Sequence, residues 1–171
     1  MIKHQKSRGF SLIELMVVVG VIGILMVITI PTFSALQRRA RLNSTTEEFA
    51  QVVRSRRERA ISTGRTYVFD FNIANNTYRI LSPFDTLTFN ITGTVGGHTY
   101  IGRGTATGMP PEGFNIGPAV DFPPNDELEM DFRGGATRGV LYLTNDRDTY
   151  AIGVGSLGKV RVYRFAAGTW Q

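Results

Sequence analysis

The sequence predicts an α+β protein in which one long amino-terminal helix packs on an antiparallel β-sheet domain. Three observations predict this class: an uncharged apolar run from Leu15 to Ile30, a helical spacing of apolar residues that continues to about Thr63, and an alternating pattern after Gly64. A helix followed by a series of strands is typical of α+β domains. The 171 residues suffice for one such domain with an apolar appendage.

The amino terminus combines a short basic stretch with a segment of membrane-spanning length. Three cations and no acid precede Gly9, so the rest of the chain has only two of the five net positive charges. Residues 10–30 would form a helix of roughly 32 Å, close to the thickness of a bilayer core. A secretory signal peptide is the alternative, but its apolar core is shorter and Thr32-Phe33-Ser34 is a poor cleavage site. A transmembrane helix at residues 10–30 is therefore predicted.

Glu14 is the one charged residue of this segment. A carboxylate at the centre of a membrane helix costs on the order of 2.5–3.5 kcal/mol, and less near the interface. One interpretation is that the side chain extends to the lipid headgroups. The other is that it pairs with a positive group. A new amine on Phe10, one helical turn away on this chain or on a neighbouring subunit, would be such a group.

The amino terminus resembles the processing site of type IV prepilins and of the pseudopilins of type II secretion systems, in the stretch Lys6-Ser7-Arg8-Gly9-Phe10-Ser11-Leu12-Ile13-Glu14-Leu15. The resemblance implies that residues 1–9 are a leader, cleaved after Gly9 by a prepilin peptidase that also methylates the Phe10 amine. It also implies that Glu14 aligns an incoming subunit by pairing with the Phe10 amine of a neighbour in the filament.

The same resemblance implies a location and a set of partners. The chain would cross the bacterial inner membrane once, with its amino terminus in the cytoplasm and its globular domain in the periplasm. Its partners would be other pseudopilins or pilins, the prepilin peptidase and N-methyltransferase, and the inner-membrane assembly platform. Charge supports this orientation only loosely, because Arg38, Arg39 and Arg41 flank the other end of the segment.

Residues 31–63 are predicted to form an amphipathic helical stem. Leu42, Phe49, Val53 and Ala60 form one apolar stripe. Four arginines fall largely outside that stripe, namely Arg54, Arg56, Arg57 and Arg59. A single helix is thus predicted from Phe10 to about Thr63, with a bend at Pro31, where the family has a helix-bending proline. Gly64 suits the left-handed position that ends a helix.

Residues 64–171 are the predicted globular β domain. Its candidate strands are Tyr67–Phe71, Thr77–Leu81, Leu87–Ile91, Thr99–Ile101, Leu128–Phe132, Val140–Leu143, Tyr150–Val154 and Val160–Phe165. Ala74-Asn75-Asn76 indicates a hairpin turn between the first two. Residues 84–126 are rich in Gly, Pro and Thr, which favours an irregular, exposed loop.

Three segments of the stem and the β domain resemble the GspH/FimT group of minor pseudopilins and minor pilins. They are the helical stretch Val53–Ile61, the stretch Met130-Asp131-Phe132-Arg133-Gly134-Gly135, and the stretch Gly158-Lys159-Val160-Arg161-Val162-Tyr163-Arg164. The similarity extends over nearly the whole chain. It implies a protein like component H of the type II secretion system, which adds to a short periplasmic filament.

No catalytic or metal-binding pattern is present. The chain has no cysteine and two histidines, His4 in the leader and His98 beside Gly96-Gly97. These residues give neither a transition-metal site nor a matched nucleophile and base. The glycines at 96 and 97 have neither phosphate-loop nor dinucleotide spacing. We therefore expect no cofactor and no enzymatic activity, which disfavours a membrane-anchored enzyme.

The densest acidic group lies at residues 126–131. Alternation predicts that Glu127, Glu129 and Asp131 form a solvated strand face, with a calcium contact as the alternative. The opposite face would consist of core residues, namely Leu128, Met130 and Phe132.

The carboxy-terminal strand is the remaining functional candidate. Alternation places Lys159, Arg161 and Tyr163 on a solvent face and Val160, Val162 and Arg164 on the other. Two cations and an aromatic ring could contact phosphate and stack on a base. Some FimT-like members use a Gly-Arg-x-Arg element near this place for DNA uptake, whereas here the first arginine is replaced by Lys159. The alternative function is thus a DNA-binding minor pilin, with Lys159, Arg161 and Arg164 as contacts. An ordinary exposed strand is the competing interpretation.

Overall fold

The structure, a computed structural model, describes residues 10–91, 99–115 and 117–171, without the side chains of residues 27–32. The predictions for the leader, Gly9, His98 and the side chain of Pro31 lie outside these residues. The chain divides into two compact units, of which the first ends at Gln37 and the second comprises Arg38–Gln171. The boundaries proposed after residues 9, 30 and 63 stay predictions.

A single helix, α1 (Leu12–Thr63), covers the apolar segment and the stem. It begins two residues later than predicted, because Ser11 caps it. The Ser11 carbonyl accepts a hydrogen bond from the Leu15 N–H at 3.2 Å, and the Ser11 hydroxyl accepts one from the Glu14 N–H at 3.3 Å. Phe10 therefore precedes the helix.

The end of α1 matches the prediction. Gly64 has a φ of 66°, and the Arg65 N–H donates to the Ala60 carbonyl at 3.1 Å. This is the Schellman arrangement, in which a left-handed glycine lets the chain turn back on the last helical carbonyls. The glycine therefore directs the chain straight into the first strand.

Ten strands follow α1 in the described residues. They are β1 (Tyr67–Asn72), β2 (Thr77–Leu81), β3 (Thr86–Asn90), β4 (Tyr100–Ile101), β5 (Val120–Asp121), β6 (Glu127–Met130), β7 (Gly139–Thr144), β8 (Thr149–Val154), β9 (Val160–Ala166) and β10 (Thr169–Trp170). Of the eight predicted strands, Thr77–Leu81 is found with the predicted bounds and the other seven with shifted ends. The two-residue strands β5 and β10 were not predicted.

Two antiparallel sheets form from these strands. The first has the order β3-β2-β1-β6, and the second has the order β10-β9-β8-β7-β4, with β5 also pairing with β7. The predicted hairpin joins β1 to β2, with Asn72 opposite Thr77, and Asn76 adopts the left-handed φ of 54° that such a turn uses. The α+β prediction is confirmed.

The apolar stripe of the stem is buried, as predicted. Leu42, Phe49, Val53 and Ala60 are all inaccessible to solvent or nearly so. The Phe49 ring meets Tyr78 edge-on, with 5.0 Å between ring centroids, and also contacts the Phe69 ring at 6.0 Å. The part of α1 after Gln37 therefore packs on the first sheet through aromatic side chains.

The second sheet is covered on both faces, so every residue of β7 and β8 is buried. One face joins the core beneath α1. The other packs against Phe114, whose ring lies on Gly153 and 6.3 Å from the Tyr163 ring. The prediction of an irregular, exposed segment at 84–126 is therefore wrong in part, because Phe114 covers a sheet face and other apolar residues of the segment belong to the main core. Its buried residues include Ile91, Ile101, Ala106, Phe114, Val120 and Phe122.

Candidate functional site

Phe10 and Glu14 lie at the exposed start of the described chain. Phe10 is 76% exposed, and Glu14 lies in the first turn of α1. Glu14 takes part in none of the ion pairs found among the described residues. The structure thus leaves its carboxylate accessible to a partner. The predicted roles of Gly9, Phe10 and Glu14 stay predictions.

The large apolar side chains that follow are exposed in the part of the chain that the structure describes. From Phe10 to Met26, each large apolar side chain is between 45% and 77% exposed. Such a continuous apolar surface is typical of a segment that is buried in lipid or against other chains.

Within the described residues, no helix meets the combined length and hydropathy expected of a membrane span.

Arg57 brings together the three segments that carry the GspH/FimT resemblance. Its Nε donates to the Gly134 carbonyl at 2.8 Å, and one terminal nitrogen donates to the Leu157 carbonyl at 3.1 Å. Gly134 has a φ of 85° and Gly158 a φ of 70°, so both turns need glycine. The guanidinium therefore bonds the helix to the β6–β7 and β8–β9 turns at once.

The glycines of these turns leave room for that contact. A Cβ on Gly158 would lie 2.3 Å from the Arg57 Nε and 2.4 Å from the Gly134 carbonyl oxygen. Arg54 adds a longer bond to the Val160 carbonyl, at 3.4 Å. The prediction that the stem arginines lie away from the packed side of the helix is therefore wrong for Arg54 and Arg57, whose long side chains reach back over the sheet edge.

The basic residues of β9, and Lys159 just before it, do not form one surface. Lys159 is exposed, and Arg161 forms an ion pair with Glu112 across the loop that covers the second sheet. Arg164 lies on the other face of the strand, where it pairs with Tyr150 of β8. Lys159 and Arg161 thus share a face, whereas Arg164 does not.

Tyr163 is not available for stacking on a base. It is 7% exposed and packs in the cluster of Phe114, Tyr142 and Ala151, where burial raises the pKa of its hydroxyl. The prediction of an exposed tyrosine on β9 is wrong, because the loop before β5 covers the face that alternation had assigned to solvent. The DNA hypothesis therefore loses its aromatic contact.

The prediction of a solvated face for Glu127, Glu129 and Asp131 is right for two of the three residues. Glu127 and Glu129 are exposed, but the Asp131 carboxylate accepts hydrogen bonds from the N–H groups of Arg133 and Gly135, at 2.7 and 3.0 Å. This turn ends β6 at Met130. The prediction of Phe132 in the core is wrong, since it is 49% exposed. Among the described residues, no cluster of three or more acidic, histidine or cysteine side chains could hold a metal ion.

A groove of about 460 Å³ lies between α1 and the edge strand β3. Tyr78 forms part of its wall, stacked on Phe89 at 5.2 Å, with Glu48 at the rim. Burial, and less so the Glu48 carboxylate, raises the pKa of the Tyr78 hydroxyl to about 12, against the opposing effect of Arg56. The hydroxyl therefore stays protonated at any physiological pH.

Sequence reasoning missed the contacts of Arg57 and the packing of Phe114. Gly134 and Gly158 are ordinary turn-forming residues in the sequence, and their spacing says nothing about the distant side chain for which they leave room. An isolated Phe in a Gly- and Pro-rich stretch was the one signal for the second cluster, because a loop seldom exposes an aromatic ring without a partner.

A family model and curated pilin-related proteins match parts of this chain. The prokaryotic N-terminal methylation motif matches residues 4–30. The type IV major pilin protein PilA of Myxococcus xanthus is 56% identical over 38 residues, which are 22% of this chain and 17% of that protein. The prepilin peptidase-dependent protein D of Escherichia coli is 50% identical over 45 residues, which are 26% of this chain and 31% of that protein. The match thus covers less than a third of the length of each of these curated relatives.

Among solved structures, the minor pseudopilin EpsH from the type 2 secretion system of Vibrio cholerae is similar, with a TM-score of 0.45 and 14% sequence identity. The similarity covers 71% of this chain and 94% of that one.

Proposed function

Because the chain is type IV pilin-like in its amino-terminal motif and in its helix-then-sheet order, we propose that it is a minor pseudopilin of a type II secretion system. In this role it assembles into a short periplasmic filament that drives protein export across the outer membrane. Its work is structural rather than catalytic. Its partners are other pseudopilins and the inner-membrane assembly platform.

One observation carries the proposal: a carboxylate with no ion pair in the described chain stands at the head of an uncovered apolar helix. In lipid alone, the charge of Glu14 is costly. In a filament, the apolar side chains meet those of other subunits. Glu14 then has an opposite charge within reach, the amine of a neighbour's Phe10.

Processing creates that amine. Cleavage after Gly9 by a prepilin peptidase removes the leader and frees the Phe10 nitrogen, which is then methylated and stays cationic. Before assembly, residues 10–30 cross the inner membrane with the amino terminus in the cytoplasm. In the assembled filament, the same helix contributes to the core, and Pro31 supplies its bend.

The first test is the covalent state of the processed chain. Co-expression with a prepilin peptidase, followed by intact mass measurement, should show loss of residues 1–9 and the gain of one methyl group. A Gly9→Val variant should keep the full mass, because the residue before the cut is changed. A wild-type chain that the peptidase leaves intact would overturn the proposal.

The second test addresses Glu14 directly. Glu14→Ala should leave the chain in the membrane fraction but reduce its recovery in sheared filaments by at least about tenfold, since one buried charge pair is lost. Glu58→Ala is the matched control, because it removes an exposed carboxylate from the same helix. Equal recovery of both variants would refute the pairing role.

A further inference from the structure

Four large apolar side chains are exposed together at one end of the second unit. Ile61 lies in the last turn of α1 and is 48% exposed, Phe84 between β2 and β3 is 76% exposed, Phe132 between β6 and β7 is 49% exposed, and Leu157 between β8 and β9 is 81% exposed. Such residues usually lie in a core, so four of them at the end of a helix and on neighbouring turns mark an interaction surface.

The strand registers place these turns at the same end. Val68 at the start of β1 pairs with Leu81 at the end of β2, and Tyr67 pairs with Met130 at the end of β6. The β8–β9 turn joins them through the Ala136 N–H, which donates to the Ser156 carbonyl at 3.0 Å. We call the four apolar residues and the cations beside them the turn surface.

Exposed cations adjoin these apolar side chains. The Arg65 guanidinium lies 4.3 Å from the centre of the Phe84 ring, and that of Arg133 lies 5.3 Å from the Phe132 ring. Lys159 is exposed two residues after Leu157. The turn surface thus presents positive charge directly beside its apolar groups.

Two carboxylates lie on the turns that carry these side chains. That of Asp131 accepts hydrogen bonds from backbone N–H groups of its own turn, and that of Asp85 is exposed beside Phe84. The Arg57 bonds to Gly134 and Leu157 fix two of the three turns, β6–β7 and β8–β9, against α1. The surface is therefore held in place before any partner arrives, which lowers the entropy cost of binding.

We propose that the turn surface docks on an anionic lipid bilayer. Apolar side chains that project from separate turns can each enter the headgroup region, whereas a protein partner would need a matching pocket for each. The flanking arginines and lysine then meet lipid phosphates. Nucleic acid fits less well, because it offers nothing to exposed Ile61 and Leu157.

The experiment separates this contact from the amino-terminal helix. The full chain is held in nanodiscs of phosphatidylcholine, and its co-flotation is measured with vesicles of phosphatidylcholine alone or mixed with phosphatidylglycerol. This inference rests on the proposed function, in which the amino-terminal helix anchors the chain in a membrane. A chain that fails to enter the nanodisc is seen before any vesicle is added, so the two failures are distinguishable.

We expect binding to the anionic vesicles that weakens as salt is raised. Arg133→Gln and Lys159→Gln should each weaken it about fivefold, and Leu157→Ser should weaken it further. Arg147→Gln and Ile73→Ser are matched controls from turns at the opposite end, where Ile73 is 49% exposed. These controls should bind as the wild type does.

Two outcomes would overturn the proposal. If the nanodisc-held chain does not bind anionic vesicles, the turn surface belongs to a protein partner instead. If Arg147→Gln weakens binding as much as Lys159→Gln does, the attraction comes from net charge and not from this surface.

Discussion

Replacing Arg57 by alanine should destabilise the β domain far more than its position on a helix surface suggests. Two hydrogen bonds from the guanidinium would be lost, to the Gly134 carbonyl at 2.8 Å and to the Leu157 carbonyl at 3.1 Å. A bond from a charged donor contributes about 1.5–3 kcal/mol, and the partial exposure of Arg57 favours the lower figure for each. We therefore expect a loss of about 2–4 kcal/mol in the free energy of unfolding.

The loss can be measured by urea unfolding of the full chain in detergent, with Trp170 fluorescence and near-ultraviolet circular dichroism as independent probes. In thermal unfolding, the same loss should lower the melting temperature by roughly 6–12 °C. Arg57→Lys should fall between the wild type and Arg57→Ala, because one ammonium cannot reproduce the planar geometry of two guanidinium donors.

Arg59→Ala is the matched control, since Arg59 is exposed two positions further along the same helix. Exposed substitutions of this kind usually change stability by no more than about 0.5 kcal/mol. If Arg57→Ala proves as mild as Arg59→Ala, the two carbonyl contacts contribute nothing, and the reasoning is refuted.

Three further predictions concern glycine, tyrosine and phenylalanine. Gly158→Ala should cost more than about 2 kcal/mol because its Cβ meets backbone and Arg57, whereas Gly168→Ala, with a similar φ of 81° and open space, should cost only about 1 kcal/mol in urea titrations. Tyr78 has a raised pKa of about 12, so the unfolded state ionises first and stability should fall between pH 10 and 12. That fall should be up to about 2 kcal/mol larger than in Tyr78→Phe, and equal pH profiles would contradict it. Phe114→Ala should lower the free energy of unfolding by about 3–4 kcal/mol. It should also speed amide hydrogen exchange in the loop before β5, and unchanged exchange would show that the ring does not hold this loop in place.

Much of the fold could be predicted from periodicity. The stripe of Leu42, Phe49, Val53 and Ala60 identified the packed side of the stem, and each of its residues is buried. Alternation likewise located the main strands, because a strand with one solvated face repeats every two residues. The method failed for β9, where Tyr163 is buried on the face assigned to solvent. A sheet with both faces covered gives no alternation.

The candidate site likewise has a part that the sequence predicts and a part that it does not. Gly9, Phe10 and Glu14 stand close together in the chain, so their pattern could be recognised locally, and the methylation motif over residues 4–30 supports that recognition. The contacts of Arg57 join residues 77 and 100 positions apart. No local spacing encodes such a contact, because it depends on which turns the two sheets bring beside the helix.

The sequence by itself determined the order of helix and strands, the uncovered apolar segment and the isolated carboxylate of Glu14. These features follow from the nature of neighbouring residues, since solvent and backbone geometry act on them locally. Only the tertiary structure decided that Phe114 covers the second sheet, that Arg161 pairs with Glu112, and that the exposed turns share one end. Those facts depend on strand order and register, through which residues far apart in the chain become neighbours in space.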